Sequence, residues 1–305
     1  MTTIVHALRA ATARLTLMSD SASLDAQLLL AHVMGVERAI LLAYPERELT
    51  DAQITAFEAL IARAAAGEPI AYIVGRRAWY DMDLIVTPAV LIPRWETEQV
   101  LELALEHLNP QPLLHSGEGA LRAVDVGTGS GALAAGLKKH RPQVEVHAVD
   151  ISADALDVAR ANAAKYGVDV QFHQGDLLTP FLSPPSLRSG EGGRGGEVNS
   201  GEVAFNLILA NLPYIASDAL PALAVSKYEP RLALDGGTDG LALIRRLLTQ
   251  IADGDLIRLG GCILLEIGAD QGAAAAALAR TTFARGKVAV VVDLAGRDRI
   301  VRIEV

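Results

Sequence analysis

The chain has 305 residues, 51% of them hydrophobic, which is enough to bury one large core and a smaller second one. Its formal net charge is -9, and it lacks the clustered basic residues of proteins that bind a phosphate backbone, so no direct nucleic acid partner is expected. The single cysteine, Cys262, excludes an intrachain disulfide and a multi-cysteine zinc site, and the histidines show no metal-ligand spacing, so no metal is expected.

Residues 1–66 are predicted to form a small helical domain. Leu24, Leu28 and Ala31 recur at helical spacing, and Thr50 is a good N-cap residue for a later helix. The N-terminus shows no basic segment followed by an apolar stretch and a cleavage site. No stretch reaches the roughly 18 uninterrupted apolar residues of a membrane span. We therefore expect a cytoplasmic protein without a membrane partner.

Residues 67–94 are predicted to be a β-hairpin that links two domains. The segment from Tyr72 to Ile92 is rich in β-branched and aromatic residues, with a turn signal near Asp81. Residues 95–305 are predicted to form the second domain. This domain is expected to begin with a helix that ends near His107, whose first turn is acidic, as suits a helix N-terminus.

From residue 121 onward, segments with strand character alternate with helical segments. The predicted strands are Ala123–Val126, Val144–Val149, Val170–His173, Phe205–Ala210, Cys262–Ile267, Val288–Val292 and Ile300–Val305. Such alternation indicates a mostly parallel sheet with helices on both faces. The connection between the last two strands is too short for a parallel crossover, so they are expected to pair antiparallel. The prediction is an α/β fold with a seven-stranded Rossmann-like sheet of the class I methyltransferase type.

Residues 183–202 interrupt this pattern between the third and fourth strands of the predicted sheet. They are poor in apolar residues and dense in glycine, so they are predicted to be a flexible insertion. A glycine-rich phosphate-binding loop is the alternative, but the Gly-Lys-Ser/Thr elements of such a loop are absent.

A nucleoside-binding site is predicted where the first two strands of this domain end. The run from Val124 to Gly131 contains three glycines, which let the backbone turn tightly and approach a ligand closely. Asp150 closes the second strand, where a carboxylate can accept both hydroxyls of a ribose. The Gly175-Asp176 turn follows the third strand and can reach the adenine edge. The same glycine spacing fits a nicotinamide dehydrogenase, but no acid-base residue for that chemistry can be nominated.

The chemical site is predicted at Asn211-Leu212-Pro213-Tyr214, which follows the fourth strand. The side-chain oxygen of Asn211 and the carbonyl of Leu212 can accept the two N–H bonds of a planar NH₂ group, and Tyr214 can supply a flat wall. These acceptors would hold the nitrogen in line with a sulfonium methyl group and favour the positive charge that develops on transfer. A plain Asn-x-Pro turn is the alternative interpretation.

These residues resemble the Asn-Pro-Pro-Tyr motif of amino-nitrogen methyltransferases, and the surrounding chain resembles the release-factor glutamine methyltransferases, the PrmC/HemK family. The resemblance runs from about residue 24 to the end, apart from the glycine-rich insertion. The further matching pieces are Gly67-x-Pro69-x-x-Tyr72-Ile73-x-Gly75, Leu91–Glu98, Tyr228-Glu229-Pro230, Asp239-Gly240-Leu241, Glu266-Ile267-Gly268 and Asp293–Gly296 with Arg299. Each piece is weak alone, and the ordered set is specific.

The resemblance implies an enzyme that uses S-adenosylmethionine, leaves S-adenosylhomocysteine, and methylates the glutamine side chain in the Gly-Gly-Gln loop of peptide chain release factors. It also implies that the N-terminal helical domain helps to hold this protein substrate. The residues implied to contact the cofactor are Gly127, Thr128, Gly129, Ser130, Gly131, Asp150, Asp176, Leu177 and Asn211. The residues implied to hold the glutamine are Asn211, Leu212, Pro213 and Tyr214, with Asn211 as the catalytic residue.

Three positions depart from the family pattern. Leu212 replaces the first proline of the motif, which adds an N–H group and frees φ while keeping the carbonyl. Trp95 replaces the second proline of the Pro-Arg-Pro-Glu-Thr-Glu signature. Asn206 stands where the family usually has an aspartate. The Asn-Leu-Pro-Tyr sequence also resembles ribosomal RNA adenine methyltransferases, so adenine N6-methylation is the alternative function. Those enzymes are usually basic and carry their helical domain after the catalytic one.

Overall fold

A computed structural model describes residues 2–109, 121–182 and 204–305. The insertion predicted at 183–202 lies outside the described residues. The chain divides into two compact units, Met1–Arg77 and Ala78–Val305. In the described part of the chain, no helix is both long and apolar enough to cross a membrane.

The first unit is helical, as predicted. Its helices are α1 (Ile4–Leu15), α2 (Ala22–Met34), α3 (Arg38–Ala43), α4 (Asp51–Ala65) and α5 (Ile70–Val74). Thr50 caps α4 in a capping box with Gln53, which confirms the predicted start of that helix. Of the three residues that recur at helical spacing in α2, Ala31 is buried but Leu24 and Leu28 are exposed, and Leu29 and Leu30 enter the core instead. This helix carries apolar residues on more than one face, so spacing alone does not decide which face is buried.

The predicted hairpin is shorter than expected. Its strands are β1 (Arg76–Trp79) and β2 (Met82–Ile85), and they form a two-stranded sheet. Tyr72 lies in α5 instead of a strand, because the one-turn helix there buries Tyr72 and Ile73. Helix α6 (Thr97–His107) follows, close to its predicted bounds.

The second unit contains the seven-stranded sheet that the alternation predicted. Its strands are β3 (Arg122–Val126), β4 (Glu145–Asp150), β5 (Gln171–Gln174), β6 (Phe205–Ala210), β7 (Ile257–Glu266), β8 (Lys287–Val292) and β9 (Asp298–Glu304). The strand order is β5-β4-β3-β6-β7-β9-β8. The first five strands of this order are parallel, and β9 pairs antiparallel with both β7 and β8, as expected for the final hairpin.

Helices cover both faces of the sheet, so its central strands β4, β3 and β6 are buried on both sides. The helices are α7 (Ala132–His140), α8 (Ala153–Tyr166), α9 (Ala242–Asp253) and α10 (Gly272–Thr282). Neighbouring residues of β3 belong to different cores: Ala123 packs with residues of α6 and α7, whereas Val124 packs with residues of α9 and α10. This two-sided burial explains why the predicted strand segments are almost continuously apolar.

Asn162 of α8 ties the hairpin to the glycine-rich loop. It is fully buried. Its Oδ1 accepts from the N–H of Ile85 (2.7 Å), and its Nδ2 donates to the carbonyls of Ile85 and Ser130 (2.9 Å each). Replacing Asn162 by leucine removes the partner of three partly or fully buried backbone groups at similar side-chain volume. We expect the free energy of unfolding, measured with urea, to fall by about 3 kcal/mol.

The matched control for this variant is Asp157→Ala, on an exposed position of the same helix. The ion pair of Asp157 with Arg160 is a surface pair, so its loss should change stability by no more than about 0.5 kcal/mol. Equal stability of the two variants would contradict the role assigned to Asn162.

Candidate active site

The carboxyl ends of the adjacent parallel strands β4, β3 and β6 meet at one edge of the sheet. Val126 of β3 pairs with Val149 of β4 and with Ala210 of β6, so the residues that follow on the three strands come together. A cavity of about 310 Å³ opens at this edge, which is within the range of small-molecule sites. The predicted site residues that line it are Gly127, Thr128, Gly129, Ser130, Asp150, Asp176, Leu177, Asn211, Leu212 and Pro213.

Two predicted residues do not line the cavity. Gly131 is the N-cap residue of α7, and it packs against Ala159 of α8 instead of facing the cavity. Tyr214 also lies outside the wall, and its carbonyl accepts from Nε2 of Gln271 (2.9 Å). Burial, together with the charge of Glu266, raises the pKa of Tyr214 to about 12, so its hydroxyl stays neutral.

The glycine-rich loop brings backbone, without side chains, to the cavity wall. Gly127 and Gly129 have φ of 73° and 54°, in the left-handed region that favours glycine. A Cβ at Gly127 would lie 3.0 Å from Cδ2 of Leu212, so a larger residue there would have to displace that methyl group. The loop is held by a hydrogen bond from the N–H of Gly127 to the carbonyl of Val149 (2.8 Å).

Asp150 stands at the end of β4, beside this loop. Its Oδ2 accepts from the N–H of Gly129 and its Oδ1 from that of Ser152, both at 2.9 Å. Burial raises the pKa of Asp150, and these backbone hydrogen bonds act in the opposite direction. Because a carboxylate has about four acceptor positions, two remain for the hydroxyls of a ribose. A glycine-lined wall beside such a carboxylate fits the adenosine part of S-adenosylmethionine.

Asp176 and Leu177 form the wall near the end of β5. The carboxylate of Asp176 pairs with Arg246 of α9, which also lines the cavity. Leu177 is buried with a φ of 55°, so the chain turns sharply there and presents the leucine to the interior.

Asp125 is a cavity residue that was not predicted to be part of the site. It accepts from Oγ1 of Thr128 (2.6 Å) and from the N–H of Ala134 (3.3 Å). Burial raises the pKa of Asp125 to about 7, against the effect of these two hydrogen bonds. The sequence signal that could have identified Asp125 is an acidic residue inside an otherwise apolar strand, just before the glycines.

Asn211 follows β6 and lines the cavity with its side chain anchored from behind. Its Nδ2 donates to Oγ1 of Thr97, at the start of α6 (2.9 Å). Thr97 is buried, and it too lines the cavity. This contact joins residues 114 positions apart, which no local pattern could predict. With the NH₂ end of the amide occupied, Oδ1 is the end that remains to accept from a ligand.

The fold accommodates Leu212, which stands where the family motif has its first proline. Its side chain is buried in the core formed with α9 and α10, and it packs against the backbone of Gly127. The leucine therefore fills the space between the glycine-rich loop and the active loop, residues 211–214.

A second departure, Asn206, lies at the opposite end of β6, where its Oδ1 accepts from the N–H of Arg122 (2.9 Å). This bond ties the start of β6 to the start of β3.

A buried carboxylate joins the two segments that close the remaining walls. Glu229 accepts from the N–H of Ile92 (3.1 Å) and pairs with Nη2 of Arg94 (2.5 Å). The wall residues on either side of this contact are Ala89, Val90, Leu91 and Pro93 from one segment and Pro230, Leu232 and Ala233 from the other. Trp95, the third departure, is exposed and takes no part in this contact.

Among the described residues, no group of three or more His, Cys, Asp or Glu side chains is arranged to hold a metal ion.

Gly131 permits a close approach of α7 and α8 beneath the glycine-rich loop. Its φ is 78°, and a Cβ there would lie 3.0 Å from Cβ of Ala159. Gly167 offers a matched control, since its φ is 63° and a Cβ there would meet nothing within 4 Å. We expect Gly167→Ala to show the backbone cost alone, about 1 kcal/mol. Gly131→Ala should cost about 1–3 kcal/mol more, measured by urea unfolding, and equal losses would contradict the close packing.

Comparison with known proteins agrees with this architecture. The sequence model of the PrmC N-terminal domain matches residues 6–75, and that of a methyltransferase domain matches residues 123–186. The release factor glutamine methyltransferase of Moorella thermoacetica is 42% identical over 279 residues, covering 90% of this chain and 89% of that protein. The Bacillus subtilis protein of the same name is 36% identical over 303 residues, covering 99% of this chain and 97% of that protein.

A solved structure is also similar in sequence. The protein-(glutamine-N5) methyltransferase (release factor-specific) of Alicyclobacillus acidocaldarius is 27% identical, with a TM-score of 0.41, covering 72% of this chain and 96% of that chain. The fold and the site together define an S-adenosylmethionine-dependent methyltransferase of the seven-stranded class. At the identities and coverage found for its curated relatives, the chain belongs to the release factor glutamine methyltransferase family.

Proposed function

We propose that this protein transfers a methyl group from S-adenosylmethionine to the side-chain amide nitrogen of the glutamine in the Gly-Gly-Gln motif of peptide chain release factors. The products are N5-methylglutamine and S-adenosylhomocysteine. The names of its relatives support the substrate. The observation that carries the chemistry is the anchored amide of Asn211 on the cavity wall, beside the glycine-rich loop.

The chemistry required of this chain is the orientation of a weak nucleophile. The lone pair of an amide nitrogen is delocalised, so the nitrogen reacts only when it is held in line and its developing charge is stabilised. In the proposal, Oδ1 of Asn211 and the carbonyl of Leu212 accept the two N–H bonds of the glutamine. S-adenosylmethionine, when bound, supplies an electrophilic methyl group. Transfer would form the N–C bond and break the C–S bond, leaving neutral S-adenosylhomocysteine, and the nitrogen would lose one proton to water.

The cofactor assignment follows the walls of the cavity. We propose that the part of the glycine-rich loop that lines the cavity, Gly127 to Ser130, carries the methionine end and that Asp150 accepts the ribose hydroxyls. Asp176 and Leu177 would lie against the adenine. The absence of any required metal is part of the same proposal, because a sulfonium methyl needs no Lewis acid to react.

The helical segment is proposed to recognise the protein substrate. In this assignment residues 1–66 recognise the release factor, residues 67–94 link the domains, and residues 95–305 bind the cofactor and carry out the reaction. The match of residues 6–75 to the PrmC N-terminal domain supports it. A protein substrate used in translation also implies a cytoplasmic location, with neither nucleic acid nor membrane as a direct partner.

The test is transfer of labelled methyl groups from S-adenosylmethionine to three acceptors. These are a release factor, the same factor with the glutamine of its Gly-Gly-Gln motif changed to alanine, and ribosomal RNA. We expect label in the unmodified release factor alone, on the glutamine side chain after peptide mapping. Label in the RNA, or equal label in both proteins, would overturn the proposal and would favour adenine methylation or another protein site.

A further inference from the structure

Glu266 is a buried carboxylate next to the active loop that has no hydrogen-bond partner of normal geometry. It is the last residue of β7, and its side chain is 1% exposed. Neither of its oxygens accepts a hydrogen bond within the described part of the chain. An orphaned buried carboxylate is strongly disfavoured, so its presence calls for a role.

The register of the sheet places Glu266 beside Asn211. Ala210 of β6 pairs with Leu265 of β7, so Asn211 and Glu266 are the next residues on neighbouring parallel strands. Adjacent strands are about 4.8 Å apart. Glu266 does not line the cavity, whereas Asn211 and Thr97 do. Glu266 therefore lies behind the wall that faces the ligand.

Thr97 connects the two side chains. Its oxygen accepts from Nδ2 of Asn211 (2.9 Å), and among the described residues its hydroxyl proton has no acceptor of normal geometry. Burial raises the pKa of Glu266 to about 7, whereas the nearby hydroxyl of Thr97 and the charge of Arg299 lower it. Thr97 is thus near Glu266 at a distance or angle short of a full hydrogen bond. Such contacts are often loose in a ligand-free site and tighten in the complex.

We propose that Glu266 is a positioning residue, which accepts the hydroxyl proton of Thr97 and thereby makes the threonine oxygen an acceptor for the NH₂ end of Asn211. An asparagine amide can be turned over, and only hydrogen bonds decide which end faces a ligand. Without an acceptor for its proton, Thr97 donates equally well to Oδ1 of a turned amide. That orientation presents NH₂ to the glutamine NH₂, so the two donors oppose each other.

This inference rests on the proposed function, and it names the residue that sets the orientation on which that function depends. The charged groups that act on Glu266 are Arg299 on β9 and Arg94 and Glu96 ahead of α6. The neutral hydroxyl of Tyr214 also faces Glu266. The guanidinium of Arg299 binds Asp293 (3.1 Å), and its Nε has no partner among the described residues. A charge pair between Glu266 and Arg299 is therefore the structural alternative that the test must distinguish.

The test compares Glu266→Leu with Glu266→Gln, using the full chain and a release factor as substrate. We expect Glu266→Leu to lower kcat by about 10- to 100-fold, as misplacement of a reacting group does. The dissociation constant for S-adenosylmethionine, measured by calorimetry, should stay within about threefold of wild type, because Glu266 does not line the cavity. Glu266→Gln retains an acceptor for Thr97 and should recover most of the lost kcat.

The melting temperature separates positioning from structure. The pKa of Glu266 in the folded protein lies above its ordinary value of 4.5. At a pH between these two pKa values, the folded protein therefore binds a proton at Glu266 that the unfolded chain has lost. The charged group therefore destabilises the fold above the folded pKa, and this effect is absent below the unfolded one. At pH 8 we expect Glu266→Leu to melt at or above the wild-type temperature while turnover is lost. A lower melting temperature together with lost turnover would assign Glu266 to a structural pair with Arg299.

Two further variants complete the experiment. Thr97→Val should lower kcat to a similar extent, and the double variant Thr97→Val/Glu266→Leu should lose little more than either single one, because both break the same link. Glu145→Leu removes a half-buried carboxylate at the other end of the sheet and should keep turnover. If the wild-type protein methylates the release factor and Glu266→Leu does so at a rate within twofold, the role inferred for Glu266 is refuted while the proposed function stands. If the wild-type protein transfers no methyl group to the release factor, the proposed function itself is refuted.

Discussion

Replacing Asn211 by alanine is expected to lower kcat for methyl transfer by about 100- to 1,000-fold, which corresponds to the loss of one oriented hydrogen-bond partner in a transition state. Asn211 lines the cavity with its Nδ2 held by Thr97, so its Oδ1 is placed to accept from a substrate NH₂ group. The alanine variant removes that acceptor and leaves the carbonyl of Leu212 in place. Rates should be measured with labelled S-adenosylmethionine at saturating release factor.

Cofactor affinity distinguishes this loss from a damaged fold. The dissociation constant for S-adenosylmethionine should change by no more than a few-fold in Asn211→Ala, because the glycine-rich loop and Asp150 are untouched. Asn206→Ala is the matched control, since it removes the same side chain from the opposite end of β6, where it binds the N–H of Arg122. That variant should be somewhat less stable but turn over at a normal rate. Near-normal turnover of Asn211→Ala would refute the assigned role.

Replacing Asp150 by alanine is expected to raise the dissociation constant for S-adenosylmethionine by about 100-fold. Hydrogen bonds to a charged group contribute about 1.5–3 kcal/mol each, and every 1.4 kcal/mol is tenfold in affinity. Asp150 also holds the N–H groups of Gly129 and Ser152, so the variant loosens the loop as well as removing the ribose acceptor. The loss should appear in KM for the cofactor, with kcat at saturation within a few-fold of wild type.

A control on the neighbouring helix isolates this effect. Asp154 lies in the first turn of α8 and is exposed, so Asp154→Ala removes the same charge four residues away without touching the cavity. Its affinity for S-adenosylmethionine should stay within about twofold of wild type, because exposed charges interact weakly through water. Equal affinities of the Asp150 and Asp154 variants would remove Asp150 from the cofactor site.

Strand positions in the sheet were predictable because burial on both faces leaves an unbroken apolar run that ends in glycine or a polar residue. The strand ending at Val126 and the one spanning Phe205–Ala210 were placed to within a residue. The prediction failed where apolar residues had more than one partner available. The stretch around Tyr72 looked like strand, but it packs as a short helix. On α2, the leucines that recur at helical spacing are not the ones in the core.

Some parts of the site could be predicted from the chain alone, because they depend on neighbouring residues: the glycines that turn the backbone, Asp150 at the end of a strand, and the short motif that begins at Asn211. These depend on local backbone conformation and on strand ends, which leave a pattern in the chain. The groups that support these parts could be identified only in the folded protein. The bond from Asn211 to Thr97, the contact of Glu229 with Arg94, and the burial of Glu266 beside the active loop join distant segments. Packing brings such side chains together, and packing between distant segments has no period along the sequence.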